Sequence, residues 1–202
     1  MNQNYEEMID DILQEGMSEN AFRFWKALKE KIPPIWNRNS SATLKYHKKD
    51  DGHVATIAEH VYEMAYLCSK LMRIFDCEPK SKKADLLFLA VVLHDAFKYG
   101  LKNPEYSRST YTKHDKVIGD TIIQNKELFL KVLDEQDVNL LEECVRYHAG
   151  KWSTDAKSTS FSFNKLSPET FFIHMLDMLS ANNLTKINGN GIDGTSINKV
   201  SS

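Results

Sequence analysis

The chain predicts an all-α domain, a helical bundle of about six or seven helices. Three observations carry that expectation. Apolar residues recur at steps of three and four through most of its 202 residues. Pro33-Pro34, Pro79 and Pro104 fall between those runs rather than within them. No sustained alternation of apolar and polar residues marks a strand.

Tyr5, Met8, Ile9, Ile12 and Leu13, then Phe22, Phe24, Trp25 and Leu28, define two helices over residues 5–31, separated near Gly16-Met17-Ser18. Pro33-Pro34 stops the second, and the polar, turn-prone residues 35–52 read as a connecting loop. From His53 onward Ile57, His60, Met64, Leu67 and Leu71 form one helix face that ends before Pro79. Ala84 to Leu93 is the most apolar run, too hydrophobic for a surface helix and too short to span a membrane, and predicts a buried helix over 83–98. A polar loop over 100–113 follows, then helices over 114–133 and about 137–149. Residues 151–164 read as a loop or short hairpin. Ser167-Pro168-Glu169 opens the last helix with an N-cap and a proline at the first helical position. We expect residues 1–50 to be a helical extension packing on the core, 53–184 the main unit and 185–202 a weakly ordered, glycine- and asparagine-containing tail.

A formal charge of −2 and a pI near 6.4 leave no electrostatic footprint for duplex nucleic acid. No apolar stretch is long enough for a membrane span and Tyr5-Glu6-Glu7 lacks the positive region of a signal peptide, so the expected location is the cytoplasm. Cys68, Cys77 and Cys144 are odd in number without C-x-x-C spacing, which argues against a disulfide framework and a zinc knuckle.

Four helices each place a His or Asp on the face that should point inward: His60, the pair His94-Asp95, His148 and Asp177. His114 opens a fifth. One such histidine is ordinarily a satisfied core residue. Five converging polar positions in an apolar core call for something cationic among them, and mixed nitrogen and oxygen donors suit iron, manganese, cobalt, nickel or zinc. By contrast His47 sits in a basic loop and signals nothing, His53 lies too far along the axis to share an ion with His60, and His174 is expected to pack among Phe171, Phe172 and Met178.

The order His60, His94-Asp95, Asp177 resembles the HD superfamily of metal-dependent phosphohydrolases, with its H…HD…D signature on a helical bundle. Ala58-Glu59-His60-Val61, Leu93-His94-Asp95-Ala96-Phe97-Lys98 and Met175-Leu176-Asp177-Met178-Leu179-Ser180 are similar to its three motif segments. His114-Asp115-Lys116-Val117-Ile118-Gly119 and Tyr147-His148-Ala149-Gly150-Lys151-Trp152 resemble two further elements of dinuclear members such as symmetrical diadenosine tetraphosphate hydrolases, except that Asp115 stands where proline is frequent.

The resemblance implies one or two divalent ions, magnesium being admissible besides the transition metals. His60, His94, Asp95 and Asp177 would hold the first, and Asp95 would bridge to a second on His114 and His148. It implies hydrolysis of a phosphate ester or anhydride of a small nucleotide or dinucleotide, with Asp95 and Lys98 catalytic and Lys98, Arg108, Lys151 and Trp152 as candidate substrate contacts. Tyr106, Tyr111 and Phe97 are further aromatic candidates for stacking on a base. Two other readings use the same residues: a mixed-valent di-iron oxygenase on this fold, and a nucleotide-sensing or sequestering module without turnover.

Overall fold

Helix α4 (Lys82–Leu93) runs through the middle of the molecule with every residue from Ala84 to Leu93 buried. The computed structural model describes residues 4–41, 47, 49, 52–101, 107, 110–157, 162–181, 187–188 and 191–192, and these form an all-α protein. Around α4 pack α1 (Tyr5–Gly16), α3 (Ile57–Leu71), α7 (Glu135–Tyr147) and α8 (Pro168–Ala181). Helix α2 (Glu19–Lys29) folds back on α1, and α5 (His114–Gln124) lies along α7. One contiguous core takes Ile9, Leu13 and Trp25 from the first two helices together with Leu67, Phe88, Val145 and Phe172 from the others. Cys68, Cys77 and Cys144 are free thiols in or beside it.

Side-chain caps fix where the helices begin. Ser18, Thr56, Ser81 and Asp134 each accept the N–H three residues on, at the heads of α2, α3, α4 and α7. Ser167 does the same for α8, accepting Thr170 N–H at 3.1 Å. Ser18 also donates through its backbone N–H and hydroxyl to the buried Asp85, both at 2.7 Å, and so ties the α1–α2 corner to the central helix.

Four expectations change. Helix α3 starts at Ile57, not His53, because Thr56 caps it. Its next N–H groups, from Ile57 and Ala58, donate to the carbonyls of Arg38 and Trp36. Segment 35–52 is therefore more than a connector: Ile35 and Trp36 belong to the core and the chain beside them closes the α3 terminus. Helix α4 stops at Leu93, five residues early, and Ala96, Lys98 and Gly100 then donate to carbonyls three residues back, a succession of tight turns. The helix expected over 114–133 is broken at Asn125, whose backbone leaves the helical conformation (φ −111°, ψ 26°) and whose side-chain amide and backbone N–H both donate to the Thr121 carbonyl, at 2.8 and 3.1 Å. It resumes as the single turn α6 (Lys126–Phe129), so the described residues contain eight helices. The described parts of 151–164 are short 3₁₀ turns, in line with the loop reading of that segment. Most of the tail lies outside the described residues. Within it, β1 (Ile187–Asn188) pairs antiparallel with β2 (Gly191–Ile192).

Candidate metal centre

Helix ends, more than helix faces, deliver the imidazoles. His94 and His148 are the residues immediately after α4 and α7, and His114 is the first of α5. Each ring donates its Nδ1–H to the carbonyl three residues earlier: His94 to Val91 at 2.7 Å, His148 to Val145 at 2.7 Å and His114 to Tyr111 at 2.9 Å. His60, within α3, is held by another route. Ser180 of α8 gives its hydroxyl proton to Glu63 Oε2 at 2.7 Å and therefore accepts the Nδ1–H of His60 at 2.8 Å. Glu63 is in turn paired with the Lys49 ammonium.

All four Nδ1 atoms thus carry the proton, and all four Nε2 atoms carry a lone pair. Those lone pairs converge. His60 Nε2 lies 3.1 Å from His94 Nε2 and 3.3 Å from Asp177 Oδ1. Two neutral imidazoles cannot hydrogen-bond through two lone pairs, so the first contact requires a proton or a cation between the rings. Asp95 faces both ways: Oδ2 is 3.5 Å from His94 Nε2 and 4.0 Å from His60 Nε2, while Oδ1 is 3.1 Å from His114 Nε2 and 3.8 Å from His148 Nε2. Despite that approach, Asp95 Oδ1 and His114 Nε2 are buried with no partner in hydrogen-bonding geometry. Such orphaned atoms are costly unless a ligand satisfies them. The donors present fit divalent ions, and two groups, the buried His60-His94-Asp95 and the largely buried Asp95-His114-His148, share Asp95.

Charge states agree with that fit. Burial drives His60 to its neutral form and pushes His148 down to about 4, with the neighbouring His94 and His114 adding to the effect. Burial opposes ionisation of Asp95 and Asp177. It is outweighed at Asp95 by Lys98 and His94 and at Asp177 by the imidazoles around it, His60 first, so both carboxyls fall below their usual range. His94 is the exception. Burial favours its neutral form, but the Asp95 and Asp177 charges win and raise its pKa, a sign of negative potential at the point where the lone pairs converge.

The remaining candidates are distributed as follows. Lys98 pairs with Asp95 Oδ2. Lys151 and Trp152 are exposed, the ammonium 4.7 Å from the indole centroid. Tyr111 is exposed and Phe97 partly buried, while Arg108 and Tyr106 lie outside the described residues. His53 pairs with Glu59 at 3.1 Å, away from the cluster. His174 donates Nδ1–H to the His148 carbonyl at 2.7 Å and so steadies that turn from below. Asp115, the departure noted in its motif, is buried and accepts the Lys116 N–H together with the N–H and hydroxyl of Thr154, which binds the segment after His148 to the head of α5.

Three residues of the site have no counterpart in the sequence expectation. Glu63 and Ser180 each stand three residues beyond a ligand-type residue, on the same helical face, and that spacing was the available signal. His47 gave none. It is buried, with its ring 4.3 Å from that of His60, so the expectation that it signals nothing is overturned.

No helix among the described residues is long and apolar enough to cross a membrane. Comparison with curated proteins and with solved structures gave no match. The family model described as "HD domain" matches residues 57–184, more than half of the chain and the stretch containing His60, His94-Asp95, His114, His148 and Asp177. The histidine–aspartate centre and this match together place the chain in the HD domain family, whose members are mostly metal-dependent hydrolases of the phosphohydrolase type.

Proposed function

We propose that the protein is a metal-dependent phosphohydrolase that cleaves a phosphate ester or anhydride of a small nucleotide or dinucleotide, in the dinuclear manner of symmetrical diadenosine tetraphosphate hydrolases. His60, His94, Asp95 and Asp177 hold one ion of iron, manganese, cobalt, nickel, zinc or magnesium, and Asp95, His114 and His148 hold a second. The observation that carries the reading is the two-sided Asp95, with one oxygen towards His60 and His94 and the other towards His114 and His148. Residues 53–184 form the catalytic unit, 1–50 an extension on it and 185–202 a tail.

A bound metal pair would polarise phosphoryl oxygens and make water acidic enough to attack near neutral pH. The chain supplies the rest. The Nδ1–H bonds hold four imidazoles in the donor tautomer and orientation before any ligand arrives. With Asp95 engaged by a cation, the Lys98 ammonium is no longer needed to neutralise that carboxylate and is placed to hold a phosphoryl oxygen as a point charge. Lys151, exposed three residues after His148, and Arg108 serve the outer phosphates, and the exposed Trp152 ring four residues after His148 offers a face for a base.

Protein stripped and reconstituted with each ion in turn, incubated with a panel of mono-, di-, tri- and dinucleotides read by mass, should release phosphate, pyrophosphate or a nucleotide from at least one member. Absence of every product across the panel would overturn the assignment. Turnover confined to iron and consuming oxygen would instead identify an oxygenase.

A further inference from the structure

The environment of His47 is unusual for a loop residue. Its backbone sits at φ 59°, a left-handed conformation that a residue with a Cβ adopts only when held there. Two bonds from distant parts of the chain do the holding: its N–H donates to the carbonyl of Ala181 at the end of α8, and its carbonyl accepts from Ala55 N–H just before α3, both at 2.9 Å. Helices α8 and α3 are those that carry Asp177 and His60. The side chain is 5% exposed, and its Nδ1 is buried with no hydrogen-bond partner. One ring nitrogen falls within 4.8 Å of ligand atoms of both His60 and Asp177, which themselves lie 3.3 Å apart.

A histidine serving only to pack against His60 has no need of a strained backbone, and burying an unpaired ring nitrogen makes it a poor filler. Both features make sense if the ring has a cation to bind. We propose that His47 is a seventh metal-binding residue, adding a donor to the ion held by His60, His94, Asp95 and Asp177. This rests on the metal-centre reading above and extends it.

The consequence is an asymmetric pair. The first ion would have five protein donors, so it would be held more tightly and exchange more slowly than the second. The second, with Asp95, His114 and His148 alone, keeps open positions, exchanges readily and is the ion through which added metal controls the protein.

Cobalt(II) is the probe, because its visible absorption strengthens as coordination number falls. Holoprotein reconstituted with cobalt is compared with His47→Gly under chelator competition. Glycine adopts φ 59° without strain, so the fold is preserved, and a merely structural His47 would leave metal binding untouched. We expect the tighter of the two cobalt sites in His47→Gly to weaken by about 10-fold to 100-fold and its absorption to intensify, the range typical of losing a group that tunes a metal site. Added imidazole should reverse the spectral change. Unchanged affinity and spectrum, with His60→Ala and Asp177→Ala each losing that ion, would overturn the role of His47 alone. Full cobalt content in His60→Ala and Asp177→Ala would overturn the metal-centre reading beneath it.

Discussion

Each imidazole of the centre is specified twice, once by the helix that delivers it and once by the acceptor of its Nδ1 proton. Val91, Val145 and Tyr111 use backbone carbonyls for this, and Ser180 a hydroxyl whose own proton is committed to Glu63. Asp115 works one layer out. Replacing it with alanine removes the acceptor of the Thr154 N–H and leaves the hydroxyl only its longer contact with the Thr112 carbonyl at 3.3 Å, and the expected loss is about 1–2 kcal/mol in urea unfolding, the usual cost of losing a charged acceptor from a partly buried donor. A change below about 0.5 kcal/mol would show that the contact contributes little. His60, His94, Asp95, His148 and Asp177 were legible in the sequence because a polar residue in an apolar helical stripe is conspicuous. His47 was not, since its burial is decided by hydrogen bonds to Ala55 and to Ala181 at the far end of the chain, and no local pattern encodes such a contact.

At the level of elements, the helix ends matter most. The histidines that close α4 and α7 cap the last-turn carbonyls with their own rings, and this replaces the backbone bonds that a longer helix would have made. The existence of these helices could be read from periodicity. Their ends could not, because side-chain caps and turns decide them. Gly150 follows His148 at φ 59°, and a Cβ there would lie 2.7 Å from the His174 ring that holds the His148 carbonyl. Gly150→Ala should therefore destabilise by about 2–3 kcal/mol, combining strain with overpacking. Gly100→Ala, at φ 81° with its nearest side-chain atom 3.8 Å away, should lose only about 1 kcal/mol. Equal losses in thermal or urea unfolding would refute the packing argument.

Helices α1 and α2 offer a pH test. Asp10 accepts from Trp25 Nε1 at 3.0 Å and Lys26 Nζ at 2.6 Å. Burial opposes its ionisation, yet these bonds and Lys29 prevail and lower its pKa. A carboxyl depressed in the folded state stabilises above the unfolded value, about 3.9, and that contribution disappears as the pH falls through the folded value. The gap in stability between the protein and Asp10→Asn should be about 1 kcal/mol at pH 7, kept small because Lys26 is half exposed, and should narrow as the pH falls below the unfolded value of about 3.9. A gap independent of pH would contradict the assignment.

Over the whole molecule, the apolar central helix ends where α3, α7 and α8 close around it, so the bundle that buries α4 also gathers His60, His94, Asp95, His148 and Asp177 at one end. The all-α class and the order of the helices followed from hydrophobic periodicity. That segment 35–41 would seal the head of α3 did not, because a polar stretch carries no periodic signal even when Ile35 and Trp36 anchor it in the core. The most direct test of the dinuclear centre is elemental analysis of the protein and of Asp95→Ala after reconstitution and removal of free metal. Two ions per chain in the protein and one or none in Asp95→Ala are expected, since the shared carboxylate serves both. Full metal content in Asp95→Ala would contradict the bridge.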